Sequence, residues 1–251
     1  MAFESILDPV FNPLLKMTPL IAILLISFIL TLIITLVYRF TTDQKKMKKL
    51  KEEMKEHQKK IKELSKKDPQ KAMQIQSEAM KGNLEYMKSS FKSTLYTLIP
   101  IIIIFGWLNA HMAYYPISPN QEFKVTAYFA EGHAQTIALA TIPELEMLGN
   151  ATQLITGGKA EWSLKGGGGE YKLNMNYNNE EYDMPLLISS QHQYAPPEKT
   201  IQNSKLKKIV IGNEKIYPFK ELLGVKLNWL WTYIIFSMLI SIGLRKILKV
   251  Y

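Results

Sequence analysis

The stretch Thr18–Tyr38, TPLIAILLISFILTLIITLVY, decides the fold class, because it runs 21 residues without a charge. At ~1.5 Å rise per residue it reaches about 30 Å, the thickness of a bilayer's hydrocarbon core, and so reads as a membrane span. Two further apolar blocks lie downstream. Leu95–Met112 (LYTLIPIIIIFGWLNAHM) carries only His111 as an ionisable group, and Leu227–Leu244 (LNWLWTYIIFSMLISIGL) carries none. With 18 residues apiece they reach about 27 Å, a few ångströms short of a typical core. The first block is too long for the apolar core of a signal peptide. It is followed by Arg39 and a lysine cluster rather than a small-residue cleavage site, so it is expected to be retained.

Charge orients the three spans. Residues 39–92 hold 16 Lys/Arg against 8 Asp/Glu, a net of +8, whereas residues 113–226 hold 11 Lys against 12 acids. The tail adds Arg245, Lys246 and Lys249 with no acid. An excess of Lys and Arg marks the cytoplasmic side. The expected topology is therefore an exterior segment 1–17, span 18–38, a cytoplasmic hairpin 39–92, span 93–113, an exterior domain 114–226, span 227–244 and a cytoplasmic tail 245–251. Trp107, Tyr114, Tyr115, Trp229, Trp231 and Tyr233 would form the outer aromatic belt. The chain has no cysteine, so an exterior domain must hold together by packing rather than disulfides.

Within 39–92, Met47, Leu50, Met54, His57, Ile61 and Leu64 follow the 3-4 spacing of a coiled-coil seam. Asp68-Pro69 then stops one helix and starts another, Asp serving as N-cap and Pro as the first helical residue. Met73, Met80, Leu84, Met87 and Phe91 give the second helix a matching seam, so the segment reads as an antiparallel coiled-coil hairpin continuous with the spans. The five methionines Met47, Met54, Met73, Met80 and Met87 read either as core or as an adaptable apolar contact surface. The basic face, with Lys45, Lys46, Lys48 and Lys49, is either a solvated coiled-coil surface or a contact for anionic lipid or ribosomal RNA.

Ser27, Thr31 and Thr35 recur every fourth residue and lead toward Arg39, while Ser237 and Ser241 lead in the same way to Arg245. Thr97, with Ser90, Ser93 and Thr94, adds hydroxyls near the same end of the second span. Such residues either line tight helix–helix contacts or form a wettable groove open to the cytoplasm. No carboxylate lies in any span, no phosphate-binding glycine loop or zinc-protease motif is present, and the four histidines fall on separate segments. No catalysis, cofactor or metal is expected.

Residues 119–222 read as β structure. Phe123, Val125, Ala127 and Phe129 alternate, as do Trp162 with Leu164 and Tyr171, Leu173, Met175 with Tyr177, and Leu206–Ile211 adds a strand. The expected domain is a small β-sandwich of immunoglobulin-like type. Asn150-Ala151-Thr152 is a glycosylation sequon on the expected outer side.

The order of these parts, and above all the stretch FNPLLKMTPLIAILLISFILTLIITLVYRFTTDQKKMKKLKEEMK, resembles the archaeal YidC-like branch of the Oxa/YidC/Get insertase superfamily. That superfamily includes the insertase subunit of the ER membrane complex. The resemblance covers residues 1–112 and 227–251. It implies a membrane protein insertase with a groove open to cytoplasm and lipid, working without nucleotide hydrolysis. Nascent membrane proteins would be its substrates and the ribosome a partner of the hairpin. Ser27, Thr31, Thr35, Thr97, Ser237 and Ser241 would line the groove, with Arg39 and Arg245 at its mouth. The exterior β domain departs from the short loop that the branch implies. A receptor or scaffold, or a subunit of an oligomeric channel, are the rival readings.

Overall fold

A computed structural model describes residues 4–130 and 135–250. His133 falls outside them. Among the described residues, three helices are long and apolar enough to cross a membrane: α2 (Pro19–Thr41), α4 (Pro69–Met112) and α6 (Trp229–Ile247). A short helix α1 (Glu4–Phe11) and a 3-10 turn (Asn12–Lys16) precede α2, and α3 (Gln44–Leu64) lies between α2 and α4. The chain forms two compact units, Met1–Gly106 with Leu230–Tyr251, and Trp107–Trp229.

In the first unit, the expected continuity of hairpin and spans holds on one side only. α4 is a single helix of 44 residues. Its start follows the expected chemistry, because the Lys71 amide donates to Asp68 Oδ1 at 3.1 Å and Pro69 opens the helix. α2, however, stops at Thr41, and Thr42 and Asp43 are extended. The Thr41 and Thr42 hydroxyls bond back to the carbonyls of Val37 and Tyr38. Asp43 then caps α3 by accepting from the Lys45 and Lys46 amides at 3.0 and 3.1 Å. A side chain that satisfies orphan amides this way favours a fresh helix start over continuation.

Contacts between α3 and α4 run in opposite directions along the two helices. Lys46 Nζ meets Glu85 at 2.8 Å, and Met54 lies against Gly82, where an added Cβ would sit 3.9 Å from Met54 Cγ. The α3 seam is the expected one, Met47 and Leu50 buried and Met54, His57, Ile61 and Leu64 half-buried. The α4 seam is not. Its inward positions are Ala72, Ile75, Ala79, Gly82 and Tyr86, and the methionine face points away. The physical reason lies in size: large α3 side chains need a shallow partner surface, which alanine and glycine supply. Gly82→Ala is expected to stabilise the hairpin by up to ~1 kcal/mol, since glycine costs that much inside a helix and the new methyl makes only ordinary contact. Thermal melts followed by helical circular dichroism would check this.

Among the described residues of the second unit, nine strands form two antiparallel sheets. One has the order β3-β5-β1-β9-β8, the other β4-β2-β6-β7. The strands are β1 (Phe123–Phe129), β2 (Thr136–Ile142), β3 (Glu146–Met147), β4 (Thr152–Leu154), β5 (Lys159–Lys165), β6 (Gly169–Tyr177), β7 (Glu180–Ile188), β8 (Glu198–Thr200) and β9 (Leu206–Ile211). One core joins the sheets, with Val125, Ala127, Trp162, Leu164, Leu173, Met175, Leu206 and Ile209 all buried. Asn178 and Asn179, both at positive φ (54° and 62°), make the two-residue turn between β6 and β7. Asparagine tolerates that conformation and its handedness matches the twist of a hairpin.

The chain's entry into and exit from this unit are stitched together. The Ile216 amide donates to Ala113 O at 3.0 Å and the Tyr115 amide to Glu214 O at 2.8 Å. The Tyr194 hydroxyl accepts from the Ala113 and Tyr114 amides and donates to Asn109 O. Burial pushes its pKa up to about 12. Beside it, Trp107 and His111 are buried and stacked at 4.4 Å, so Trp107 does not present its ring in the expected outer aromatic belt, and neither do Trp229 and Tyr233, which are buried as well. His192 is half-buried, and burial, then the charge of His111, holds its pKa below the ordinary imidazole value. A depressed folded pKa means that the unfolded chain takes up the proton first. Stability is therefore full above ~6.5 and falls as pH drops through and below that value. Melts of the full chain in detergent at pH 7.5 and 5.5 should show this loss, and His192→Gln should flatten it.

Candidate functional site

The hydroxyls singled out in the sequence divide by burial. On α2, Ser27, Thr31 and Thr35 are buried, and so are Ser93 and Thr97 on α4. Ser237 and Ser241 on α6 are half-buried. Four-residue spacing puts the α2 hydroxyls on one helix face. The Tyr38 hydroxyl contacts Ser90 Oγ at 3.4 Å and fixes the level of α2 against α4. About one turn further along Thr35 comes level with Ser93, and about two turns along Thr31 comes level with Thr97.

Their bonding is unequal. Thr35 donates to Thr31 O at 2.7 Å, Thr97 to Thr94 O at 3.0 Å, and Ser237 to Ile234 O at 3.0 Å. Such bonds back to the preceding turn satisfy a hydroxyl within its own helix. Ser27 Oγ, Thr31 Oγ1 and Ser93 Oγ are buried with no hydrogen-bond partner among the described residues. A desolvated unpaired hydroxyl costs about 1–3 kcal/mol, so simple helix glue accounts poorly for these three.

At the hairpin end of this strip lies a small polar cluster. The Arg245 guanidinium sits over the Tyr38 ring, 5.4 Å from its centroid. Tyr86 hydrogen-bonds Tyr38, and its pKa is raised by burial and that bond, with the charge of Arg245 opposing. Of the two arginines expected at a mouth, Arg245 is the one brought to this cluster, while Arg39 is exposed at the end of α2. The tyrosines were missed in the sequence. Tyr86, Ser90, Ser93 and Thr97 lie at 4-3-4 spacing, which was the available signal.

The hairpin methionines also divide. Met47 is fully buried and Met54 half-buried, so Met47 cannot present a contact surface. Met73, Met80, Leu84, Met87 and Phe91 are between 60 and 71% exposed. Leu95, Leu98 and Ile102 continue the same face into the apolar part of α4 at exposures near one half or more. A single apolar stripe thus runs along one helix from hairpin to span. Lys81, Lys88 and Lys92 are exposed beside it. A cavity of about 470 Å³ lined by Lys46, Leu84, Glu85, Lys88 and Ser89 opens at its middle.

Three of the four lysines proposed for ribosome contact have partners: Lys46 with Glu85, Lys48 with Glu52 and Lys49 with Glu53. The Glu85 carboxylate, hydrogen-bonded to Lys46, raises the lysine pKa and has its own lowered. Lys45 pairs with no acid among the described residues. Lys59, Lys60, Lys62, Lys66 and Lys67, all exposed, surround the turn between α3 and α4 and form a denser basic patch. Asn150 is exposed in the segment between β3 and β4. Among the described residues no group of three or more His, Asp or Glu could hold a metal ion.

The family described as integral membrane protein EMC3/TMCO1-like matches residues 4–142, more than half of the chain. The match takes in the first two spanning helices, the hairpin and the first two strands. No curated protein matches, and no solved structure does. The methionine stripe and the hydroxyl strip both lie on matched helices, and the chain belongs to the EMC3/TMCO1-like family of membrane proteins in the Oxa1/YidC/Get1 superfamily.

Proposed function

We propose that this chain is a membrane protein insertase, as the family's association with membrane protein insertion suggests, and of the archaeal YidC-like branch. The carrying observation is the unbroken apolar stripe from Met73 through Phe91 to Ile102 on one helix. A nascent apolar segment docks on its methionines, whose flexible side chains adapt to varied partners, and follows it into the lipid. Parting of the helices around Ser27, Thr31 and Ser93, which are buried in the chain, gives the short hydrophilic flank a route along their unpaired hydroxyls, which replace part of the hydration that the flank gives up. Ser237 and Ser241 face the same route from the third span, and Arg245 with Tyr38 and Tyr86 forms its mouth. Partitioning of the apolar segment, at roughly 25 cal/mol per Å² buried, drives the step without nucleotide.

In this reading the hairpin and C-terminus are cytoplasmic, while the N-terminus and β domain are exterior. The basic tip of the hairpin meets ribosomal RNA, and the lysines nearer the bilayer meet anionic lipid. Site-specific photocrosslinking tests the proposal. Probes at Met80, Leu84 and Thr31 should capture nascent membrane proteins on translating ribosomes. Absence of any adduct there, with activity abolished by deleting residues 119–222, would establish the receptor reading instead. Ribosome co-sedimentation should weaken with salt and with Lys-to-Glu changes at Lys59, Lys60 and Lys62; indifference to both would remove the ribosome from the scheme.

A further inference from the structure

The second unit carries an apolar surface that neither the stripe nor the hydroxyl strip uses. Helix α5 (Lys220–Leu223) is one turn, closed by the Leu223 amide on Phe219 O at 2.9 Å and the Gly224 amide on Lys220 O at 3.0 Å. Gly224, at φ +67°, ends it in the left-handed conformation that glycine adopts without cost. The turn is anchored from behind, where Ile216 and Pro218 are buried and Lys220 pairs with Glu214 at 3.4 Å. Its outer side presents Leu222 at 67%, Leu223 at 64% and Val225 at 45% exposure. A folded turn thus holds three large aliphatic side chains away from the domain's own core.

What covers them follows from where the chain is tied. Ile216 is bonded to Ala113, the residue directly after the spanning helix α4. Trp229 opens the spanning helix α6 only four residues beyond Val225, at most ~14 Å of extended chain. The turn is therefore held between the ends of two membrane spans, and Lys226 and Trp231, both exposed, are residue types that settle at a bilayer interface. We infer that Leu222, Leu223 and Val225 insert into the lipid leaflet on the β domain's side, anchoring the base of that domain in the membrane.

The absence of cysteine makes the test direct. Full-length Leu222→Cys, Leu223→Cys and Val225→Cys variants are labelled with a small environment-sensitive fluorophore and reconstituted into phosphatidylcholine vesicles. A fraction of the lipid carries a nitroxide on the upper acyl chain. Glu181→Cys, exposed beside the turn at the far end of the β6–β7 hairpin, is the control. Quenching several-fold greater at the three positions than at residue 181 is expected, together with protection from aqueous iodide. Quenching no greater than at residue 181 would overturn the inference. So would protection in native membranes that disappears in pure lipid vesicles, which would assign the surface to a protein partner. Because all three side chains are exposed, near-UV circular dichroism should match wild type and exclude misfolding as the cause of either result.

Discussion

Replacing Met80, Leu84 and Met87 together with glutamine is expected to weaken capture of a nascent apolar segment by roughly 100-fold. Burying one such side chain contributes about 1.5–3 kcal/mol. Docking against a single helix face buries only part of each, so ~1 kcal/mol apiece and ~3 kcal/mol in all is reasonable, and every 1.4 kcal/mol is tenfold. Fold stability should not suffer, because all three side chains are exposed and the α3 contact uses the opposite face of α4. Crosslinking yield and insertion of a single-span reporter would measure the loss. Leucine at the same three positions separates apolarity from adaptability: capture of one favoured substrate should survive while the range of substrates narrows. If the glutamine triple inserts its substrates at the wild-type rate, the methionine face is not the docking surface.

The second large effect should have opposite signs for stability and for function. The combination Ser27→Ala, Thr31→Val and Ser93→Ala deletes three buried hydroxyls that lack partners among the described residues. Removing the penalty of each, about 1 kcal/mol at the low end of the range for such groups, should stabilise the helical unit by about 3 kcal/mol. The same change strips the route of its polar groups. Each lost contact to a crossing flank is worth ~0.5–1.5 kcal/mol, so insertion should slow by about tenfold or more. The loss should grow with the number of polar residues in the translocated flank. Detergent-melt midpoints and reporter insertion, measured on one preparation, check both halves. A triple variant that is stabilised yet inserts long polar flanks normally would reduce the strip to a packing feature.

The features legible in the sequence were those carried by residue type alone. Three uncharged runs fixed the spanning helices, Asp68-Pro69 fixed the hairpin turn, and alternation from Phe123 to Phe129 fixed the central strand of one sheet. The interruption at Thr42-Asp43 depended on a competition between side-chain capping and helix continuation, which spacing does not weigh. The α4 seam was misplaced for a different reason. Two faces of that helix share the same periodicity, and reading by hydrophobicity favours methionine over alanine and glycine, whereas packing against large α3 residues favours the smaller set. Strand β7 was hidden by Pro185. It sits on the edge of its sheet and pairs only with β6, so its missing amide costs no ladder bond there. The mouth cluster was partly visible through Arg245 and Ser90. Tyr38 and Tyr86 read as interfacial aromatics, and only their mutual hydrogen bond reveals them as a pair.

The unbroken course of α4 also has a mechanical consequence. From Pro69 to Pro100 the helix is a rod of about 47 Å, stiff because every turn braces the next. Pro100 removes one amide from the ladder and is the point where an α-helix bends most readily. A load applied at the basic tip would be carried along the hairpin arm toward Pro100, inside the apolar stretch. A particle docking at the tip would thus act on the second span at that joint from nearly 50 Å away.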